Sequence, residues 1–236
     1  RWFYSKRNVK INGSFFNFLK VIIMSVISSS LRKEYTQSKL METDLESNPF
    51  DQFHKWFNDA VSAELPLPNA MTLATVKQDQ TPAARVVLLK ELDQRGFVFY
   101  TNYQSAKAEE LEYQNKASLV FWWISQERQV RIEGFTEKVT ESESEAYFAT
   151  RPRESQLSAW ASDQSKPVSG RPELETKMTE MRSNFSDQSV PKPKEWGGYR
   201  LIPSFFEFWQ GREDRLHDRI CYLMDSDQWK IQRLSP

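Results

Sequence analysis

Short apolar segments joined by polar turns recur along the sequence, and they leave few folds open to it. Ala70–Val76 and residues 83–89 are two such segments, and the polar run 78–82 between them is typical of a hairpin turn. Further strand-like segments lie at residues 97–101, 118–124, 129–140, 205–209, 219–224 and 229–233. Antiparallel strands that follow one another this closely favour a sheet that curls into a barrel.

Helical patterns lie between and after these strands. Asn48-Pro49 predicts a helix start, because Asn is a favoured N-cap and Pro suits the first helical position. Three further helices are expected, from Ser105 to about Tyr113 and over residues 142–150 and 173–185. Gly134 interrupts one of the predicted strands and indicates a β-bulge. The predicted fold is therefore mainly antiparallel β with added helices, an α+β fold.

The charge balance and the rare side chains exclude several classes of protein. Lys and Arg number 32 and so do Asp and Glu, which gives a formal net charge of +0. A general nucleic-acid or membrane surface needs an excess of basic side chains, so neither partner is expected. Cys221 is the single cysteine, and His54 and His217 are the two histidines. We therefore expect no intrachain disulfide, no metal centre and a reducing, cytoplasmic location.

The first residues differ from the rest of the chain because they include basic side chains and no acidic one. Their apolar stretch, residues 15–27, is too short and too interrupted to span a bilayer, although such a basic composition is typical of targeting peptides. We expect residues 1–30 to be an extension that is disordered or not native, with Met24 a candidate for the true start. Residues 31–48 then form an N-terminal segment, and residues 49–236 form the folded domain.

Glycine-rich phosphate loops are absent from the sequence, which has 7 glycines and neither a G-x-G-x-x-G pattern nor a P-loop. A phosphorylated ligand would therefore be held by side chains. Arg85, Lys90 and Lys107 are suited to this, although the solvated basic ends of a strand would show the same pattern. Arg85 and Lys90 face opposite sides of an ideal strand, so the strand must twist, bulge or end near Lys90 if both reach one site.

A second polar group consists of Tyr147, Arg151 and Ser155, spaced by four residues. On a helix these side chains would share one face, and two hydroxyl groups with a guanidinium form a good monophosphate site. Pro152 breaks the helix, so a turn must bring Ser155 round. The alternative is a helix end at which Arg151 compensates the helix dipole.

The sharpest pattern is Arg215-Leu-His-Asp-Arg219. If this segment is a strand, alternation places Arg215, His217 and Arg219 on one face, and three such groups indicate an anionic partner. Gln129 is able to hydrogen-bond a polar ring edge, such as that of a flavin, or to lie exposed in a hairpin. The residues alone thus indicate a site for phosphorylated, planar ligands and do not name a reaction.

Several of these stretches occur together with other motifs in one order from about residue 31 to Pro236. The motifs are Arg85-Val-Val-Leu-Leu-Lys90, Phe99-Tyr-Thr-Asn102, Ser155-Gln-Leu-Ser-Ala-Trp160, Trp196-Gly-Gly198, Phe208-Trp-Gln-Gly211, Arg215-Leu-His-Asp-Arg219 and Trp229-Lys-Ile-Gln-Arg-Leu-Ser-Pro236. Together they resemble the pyridoxamine 5′-phosphate oxidase family. The resemblance implies an FMN-binding split β-barrel that forms a homodimer with FMN in the cleft between subunits.

The resemblance also implies which residues bind FMN. The phosphate and ribityl end would be held by Arg85, Lys107, Gln164 and Ser165. The rest of the flavin would be lined by Val86, Val87, Leu88, Leu89, Lys90, Tyr100, Thr101, Gln129, Trp209 and Arg219. Ala106 departs from the pattern, since many members of the family carry a basic residue there. This departure predicts either weaker FMN binding or compensation by a neighbour.

For the substrate, the resemblance implies a phosphate clamp made by Lys90, Tyr147, Arg151 and Ser155. Arg215 and His217 would be the catalytic residues against the pyridine ring, under an N-terminal lid that carries Arg32 and Tyr35. The implied reaction oxidises pyridoxamine or pyridoxine 5′-phosphate at C4′ to pyridoxal 5′-phosphate, in vitamin B6 salvage. A hydride passes to FMN, and O₂ then reoxidises the flavin and yields hydrogen peroxide.

Two other interpretations use the same residues. One is a flavin split-barrel oxidoreductase with a different substrate, which the combination of the phosphate clamp with Arg215 and His217 disfavours. The other is a non-catalytic protein that stores FMN or pyridoxal phosphate. Release of peroxide on addition of substrate would exclude this second interpretation.

Overall fold

The computed structural model describes residues 34–236, so the predicted extension, residues 1–30, and the predicted lid residue Arg32 lie outside the described residues. The described part forms five helices: α1 Pro49–Ser62, α2 Ala106–Tyr113, α3 Glu141–Thr150, α4 Arg153–Ala161 and α5 Arg171–Asn184. It also forms nine strands: β1 Ala70–Val76, β2 Pro82–Leu88, β3 Glu91–Asp93, β4 Gly96–Asn102, β5 Lys116–Trp123, β6 Arg128–Lys138, β7 Trp196–Gln210, β8 Asp218–Asp225 and β9 Gln228–Leu234. No helix among the described residues is long and apolar enough to cross a membrane.

These strands form one antiparallel sheet in the order β2-β1-β5-β6-β7-β4-β3, with β8 and β9 added beside β7. β7 pairs with two strands along one edge, its first half with β4 and its second half with β8. β6 pairs with β7 along the other edge. The backbone N–H of Lys90 donates to the carbonyl oxygen of Val98 at 2.9 Å. This bond brings the end of β2 beside β4 and curls the sheet into a half-barrel, which confirms the predicted antiparallel barrel.

Aromatic side chains fill the inside of the half-barrel. The ring of Phe53 on α1 is fully buried and lies 4.9 Å from the ring of Phe97 on β4 and 4.9 Å from that of Phe121 on β5. Burying one such ring contributes roughly 2 kcal/mol. α1 begins where the sequence predicts, because the Asn48 side chain accepts a hydrogen bond from the backbone N–H of Phe50 at 2.9 Å. The cap and the buried rings together fix α1 against the sheet.

The outer face of the sheet is only partly covered. Directly opposed residues of antiparallel strands share a face, and one outer row consists of Val86, Thr72, Val120, Arg131, Glu207, Cys221 and Gln232, from β2 to β9. Val86 is 68% exposed on this face, and Trp122 of the adjacent row is 43% exposed. Apolar side chains exposed on a sheet face are typical of a surface that meets another protein.

The segment before α1 is fastened to the C-terminal strands. The backbone N–H of Leu40 donates to Asp218 Oδ2 at 3.0 Å, and Arg233 donates to Asp218, to Glu42 and to the carbonyl oxygen of Leu40. These bonds hold the chain along β8 and β9, and they direct the preceding residue Tyr35 towards the end of β7.

Several elements differ from the sequence prediction. β7 begins at Trp196, well before residue 205, because pairing with β4 and β6 overrides the poor strand propensity of its glycines. The helix break at Pro152 is confirmed, but a new helix, α4, begins at the next residue and was not predicted. The predicted bulge is confirmed, since the β6–β7 register shifts between Glu133 and Gly134.

Candidate functional site

A cavity of about 620 Å³ opens beside β2, which lies at one edge of the sheet among the described residues. Its walls come from the end of β2, from β4, from the start of β7 and from helices α2, α3 and α4. Of the residues singled out in the sequence, it is lined by Arg85, Val86, Val87, Leu88, Lys90, Tyr100, Thr101, Lys107, Tyr147, Arg151 and Gln164. Side chains far apart in the chain therefore meet at one place.

Arg85 is held in the cavity wall by a carboxylate. Its Nη2 lies 2.6 Å from Oε2 of the buried Glu110 on α2, and its Nη1 donates to the Thr75 hydroxyl. β2 ends at Leu88, and Lys90 follows outside the strand. The strand thus ends near Lys90, as the sequence required, and both Arg85 and Lys90 line the cavity.

Lys107, in the first turn of α2, is held by neutral oxygens. Its Nζ lies 3.1 Å from the Thr101 hydroxyl and 3.2 Å from Oε1 of Gln164, and the Thr101 hydroxyl donates to the same Gln164 oxygen at 2.8 Å. Within the described residues, no carboxylate forms an ion pair with Lys107. Burial and then the charge of Arg85 lower the pKa of Lys107. This ammonium is arranged to receive an anion.

Arg151 carries an unsatisfied polar group. Its Nη1 is buried, and no described residue accepts a hydrogen bond from it. The guanidinium lies 4.7 Å from the centre of the Trp196 ring and 5.4 Å from that of Phe148, so its neighbours are aromatic faces. Burial lowers the pKa of Arg151, and the nearby Tyr147 opposes this shift. A buried donor without an acceptor costs about 1–3 kcal/mol, which an oxygen of a ligand would offset.

Parallel aromatic rings form one wall of the cavity. The Tyr100 ring lies 4.0 Å from that of Tyr147 at an angle of 11°, and 5.2 Å from that of Trp196 at 5°. The Tyr100 hydroxyl donates to Glu91 at 2.7 Å. Burial, followed by this hydrogen bond, raises the pKa of Tyr100, so the phenol stays protonated. A flat apolar wall beside cations fits a planar ligand that carries a phosphate.

A second group of residues lies at the far end of β7. The Trp209 ring is 4.7 Å from the His217 imidazole, and the Tyr35 ring meets each of them edge-on at 5.6 Å. His217 Nδ1 accepts a hydrogen bond from the backbone N–H of Arg212 at 3.1 Å. Burial and then the charge of Arg215 lower the pKa of His217, so the neutral ring carries its proton on Nε2.

Arg219 belongs to this second group and is held by Glu207, a buried residue that also binds Arg131. Its Nη2 lies 2.9 Å from Glu207 Oε2, and Arg131 Nη2 lies 2.8 Å from the same oxygen. Burial alone raises the pKa of Glu207, but hydrogen bonds from Arg219 and Arg131 outweigh it and keep the pKa below its usual value. The carboxylate is therefore ionised and fixes Arg219 on the outer face. Gln129 lies on β6 directly opposite Trp209.

The predicted strand over residues 219–224 is confirmed by β8, but the segment from Arg215 to His217 is not part of it, so the alternation considered for Arg215, His217 and Arg219 does not occur. β8 begins only at Asp218, and Arg215 ends a short 3₁₀ turn, Glu213–Arg215. Asp214 and Arg215 have φ angles of 54° and 60°, a left-handed conformation that turns the chain and is incompatible with an alternating strand. Arg215 is consequently exposed beyond the end of the sheet, while His217 is half-buried against Trp209.

Apart from the residues at the far end of β7, three of the residues singled out do not line the cavity. Ser155 is half-buried in the first turn of α4, Ser165 is exposed in the loop after α4, and the Leu89 side chain packs in the core. Sequence reasoning in turn gave no role to several lining residues, namely Asn102, Ser158, Ala159, Ser162 and Trp196. Ser158 and Ser162 share a helix face, a spacing that becomes visible only once α4 is recognised.

The two groups lie at opposite ends of the longest strand. Trp196 lines the cavity at the start of β7, and Trp209 belongs to the second group near its end. A straight strand of 15 residues spans roughly 50 Å at about 3.3 Å per residue. The fold therefore defines a class of protein in which a half-barrel presents two partial sites, one of them built for a phosphorylated planar ligand.

Comparison with known sequences identifies that class. Residues 57–185 match the family profile described as pyridoxamine 5′-phosphate oxidase. Residues 196–236 match the profile described as pyridoxine 5′-phosphate oxidase C-terminal dimerisation region. The chain belongs to the pyridoxamine 5′-phosphate oxidase family, which confirms the resemblance found in the sequence.

Curated relatives match nearly the whole folded part. The chain is 53% identical over 213 residues to the pyridoxine/pyridoxamine 5′-phosphate oxidase of Cyanothece sp., which covers 90% of this chain and 100% of that protein. It is 54% identical over 208 residues to the protein of the same name from Acaryochloris marina, with 88% and 95% covered.

Solved structures share the fold. The crystal structure of PhzG from Burkholderia lata 383, in complex with tetrahydrophenazine-1-carboxylic acid, is similar with a TM-score of 0.80 and 30% identity. That similarity covers 85% of this chain and 100% of PhzG. An FMN binding protein from Nostoc punctiforme, described as related to pyridoxamine 5′-phosphate oxidase, has a TM-score of 0.64 at 16% identity, with 81% and 100% covered. The last comparison concerns the fold alone.

Proposed function

We propose that this chain is an FMN-dependent oxidase that converts pyridoxamine and pyridoxine 5′-phosphate to pyridoxal 5′-phosphate. O₂ is the final acceptor, hydrogen peroxide is released, and the amine substrate also yields ammonia. Relatives at 53% and 54% identity that carry the name of this activity support the assignment. The reaction contributes to vitamin B6 salvage.

The observation that carries the proposal is the buried, unpaired Nη1 of Arg151 in the cavity. Lys90 and Tyr147 line the same cavity, so a phosphate ester there would meet an ammonium, a guanidinium and a phenol hydroxyl. A guanidinium is well suited because it binds two phosphate oxygens at once. We assign these three residues, together with Ser155 in the first turn of α4, to the substrate phosphate.

The remaining side chains of the cavity are chemically suited to bind FMN. Lys107 and Arg85 offer positive charge for its phosphate, and Gln164 with the neighbouring Ser165 offers polar groups for the ribityl hydroxyls. β2 pairs with β1 alone among the described strands, so its other edge offers backbone donors and acceptors for the polar edge of the flavin ring. Tyr100 and Thr101 line the cavity from β4.

The dimerisation profile supports a homodimer, and we place FMN between its two subunits. Gln129, Trp209 and Arg219 of one protomer complete the flavin site in the cavity of the other. Their position at the far end of β7 from the cavity, on an outer face with exposed apolar residues, supports this arrangement. The outer face thereby becomes the surface that two copies bury.

Bound FMN supplies the hydride acceptor that amino acid side chains lack. The side chains bind and orient the substrate, and the phosphate clamp provides binding energy remote from the reacting carbon. His217, neutral and protonated on Nε2, donates a hydrogen bond towards the pyridine ring, and Arg215 closes over that ring from its exposed turn. Tyr35, packed on His217 and Trp209, excludes water from this side.

Turnover tests the proposed reaction. FMN-loaded protein supplied with pyridoxine 5′-phosphate and O₂ should form pyridoxal 5′-phosphate and hydrogen peroxide in equal amounts. Unphosphorylated pyridoxine is the matched control and should show a far higher KM, because it lacks the group that Arg151 binds. If the loaded protein instead oxidises only tetrahydrophenazine-1-carboxylic acid, the ligand in the PhzG structure, the substrate assignment is wrong.

Mixed dimers test the proposed location of FMN. Arg151→Ala disables the cavity of the protomer that carries it. Arg219→Ala leaves that protomer's own cavity intact but removes the arginine that it contributes to the flavin site of the other protomer. Each variant alone should be nearly inactive. After both are unfolded and refolded together, half of the dimers are mixed and each has one intact site, so about a quarter of wild-type activity should return. No recovery would contradict a site shared between subunits.

We also propose a cytoplasmic location. Cys221 is a free, buried thiol, and burial raises its pKa to about 11, which keeps it protonated and unreactive. A reducing compartment preserves such a thiol. The partners are a second copy of the chain and small molecules, with neither a nucleic acid nor a membrane among them.

A further inference from the structure

The Trp196-Gly-Gly198 motif contributes to the cavity wall but has no assigned part in binding a ligand. Trp196 opens β7, is 6% exposed and lines the cavity. Its ring contacts two site residues at once, since the Arg151 guanidinium lies 4.7 Å from its centre and the Tyr100 ring lies parallel to it at 5.2 Å. The Phe148 ring meets it edge-on at 5.0 Å and fixes its orientation.

Both glycines that follow Trp196 make room for a neighbouring ring, as Gly198 shows. A Cβ atom at this position would lie 2.9 Å from Cε1 of Tyr100 and 2.8 Å from Cγ2 of Val139, closer than carbon atoms approach. The missing side chain therefore lets the Tyr100 ring lie flat on β7, parallel to Trp196. A Cβ atom on Gly197 would collide in the same way with the ring of Tyr103.

Three arginines of the two partial sites, Arg85, Arg151 and Arg219, are held in different ways. Arg85 is bound by Glu110 and Arg219 by Glu207, so part of their hydrogen-bonding capacity is used within the protein. Arg151 has no carboxylate partner among the described residues, and its guanidinium lies over the rings of Trp196 and Phe148. A ring face attracts a cation without occupying its N–H groups.

We propose that Trp196 is a positioning residue that holds the Arg151 guanidinium ready for the substrate phosphate, an inference that rests on the function proposed above. A carboxylate in its place would compete with the phosphate for the same N–H groups. The indole fixes the cation and leaves those groups free. The Trp-Gly-Gly motif is thus part of the phosphate clamp, with Trp196 beside Arg151 and Gly198 making room for the parallel Tyr100 ring.

Substitution of the indole tests this role on the FMN-loaded enzyme. Trp196→Leu should raise KM for pyridoxine 5′-phosphate roughly three- to thirtyfold, the range expected for loss of a cation–π contact. KM for unphosphorylated pyridoxine, kcat and FMN content should stay near wild-type values. Trp196→Phe keeps a ring and should recover most of the affinity. Trp229→Leu removes a tryptophan that packs on Phe206, away from the cavity, and controls for general loss of packing.

Binding of pyridoxal 5′-phosphate, measured by equilibrium dialysis, should weaken by the same factor in Trp196→Leu. This second readout keeps the test independent of turnover, and Trp196→Met, which also removes the ring but fills more of the space, replaces the leucine variant if the latter does not fold. An equal rise in KM for both substrates, or unchanged binding of the phosphorylated ligand, would overturn the role of Trp196. A wild-type enzyme that binds pyridoxal 5′-phosphate but never oxidises pyridoxine 5′-phosphate would overturn the proposed function instead.

Discussion

Glu143 Oε1 accepts a hydrogen bond from Nη2 of the buried Arg200 at 2.8 Å, while its Oε2 accepts one from the backbone N–H of Thr140 at 2.9 Å. The first bond ties α3 to β7, and the second caps the start of α3, the helix that carries Tyr147 into the cavity. The hydrogen bond from Arg200 is the largest cause that lowers the pKa of Glu143 to about 2.

This ion pair makes the stability of the fold depend on pH. The pKa of Glu143 in the folded protein lies below its usual value of 4.5. The Arg200–Glu143 pair therefore stabilises the fold fully above pH 4.5, and this stabilisation is lost as the pH falls towards about 2. Glu143→Gln should lower the free energy of unfolding near neutral pH by about 2 kcal/mol. It should also remove this part of the acid destabilisation.

Urea unfolding near neutral pH and in acid measures both effects. Glu145→Gln, an exposed residue of the same helix, is the matched control. If the two variants lose the same stability at both pH values, the Arg200–Glu143 pair does not fix α3.

FMN binding should depend on the charge of Lys107. Burial and the nearby Arg85 lower the pKa of this lysine, and only its protonated form attracts a phosphate. Affinity for FMN should therefore fall as the pH rises through the pKa of Lys107. Because this pKa is lowered, the fall should begin at a lower pH than it would with an ordinary lysine. Flavin fluorescence titrations measure it, with Lys107→Arg as the variant that stays charged. Identical pH profiles for wild type and Lys107→Arg would show that another group controls the binding.

Glu207 should matter for FMN although it is buried away from the cavity. Glu207→Gln loosens Arg219, and we expect FMN affinity to drop roughly tenfold, the effect of losing one charged hydrogen bond. Glu133→Gln is the matched control, because Glu133 contacts Arg131 but not Arg219. Sedimentation should show intact dimers in both variants. Equal FMN affinities for the two variants would remove Glu207 from the site.

Arg215 should affect catalysis and not cofactor binding. Its exposed position on the Glu213–Arg215 turn leaves its guanidinium available to close over the substrate. Arg215→Leu should lower kcat/KM on the order of a hundredfold, the effect of a misplaced substrate ring, while FMN stays bound. Steady-state kinetics and flavin content measure the two effects, with Arg171→Leu on exposed α5 as control. An unchanged kcat/KM would reject the catalytic role of Arg215.

The sequence predicted those parts of the fold that local patterns determine. β1 has the predicted bounds because its alternation is uninterrupted, and α1 begins at Asn48-Pro49 because the cap acts within the first turn. The first half of β7 was missed, since Gly197 and Gly198 disfavour a strand until β4 and β6 pair with it.

In the candidate site too, features marked in the local sequence were predicted, and contacts between distant residues were not. Arg85, Lys107 and Gln164 meet in one cavity. The two cations were singled out by their charge in the sequence, whereas Gln164 followed only from the family resemblance. The contact of Trp196 with Arg151 joins residues far apart in sequence, so no local spacing predicts it. The turn at Arg215 depends on left-handed backbone at a residue type that rarely adopts it, and a strand was therefore the natural expectation.

The central claim is that phosphate-binding side chains of this chain hold a vitamin B6 ester against FMN so that the flavin can oxidise it. The most direct measurement is the visible absorbance of the FMN-loaded protein when pyridoxine 5′-phosphate is added without oxygen. The flavin colour should bleach as one pyridoxal 5′-phosphate forms per flavin, and it should return with hydrogen peroxide when air is admitted. A protein that takes up no FMN, or whose flavin keeps its colour in the presence of the ester, would contradict the account.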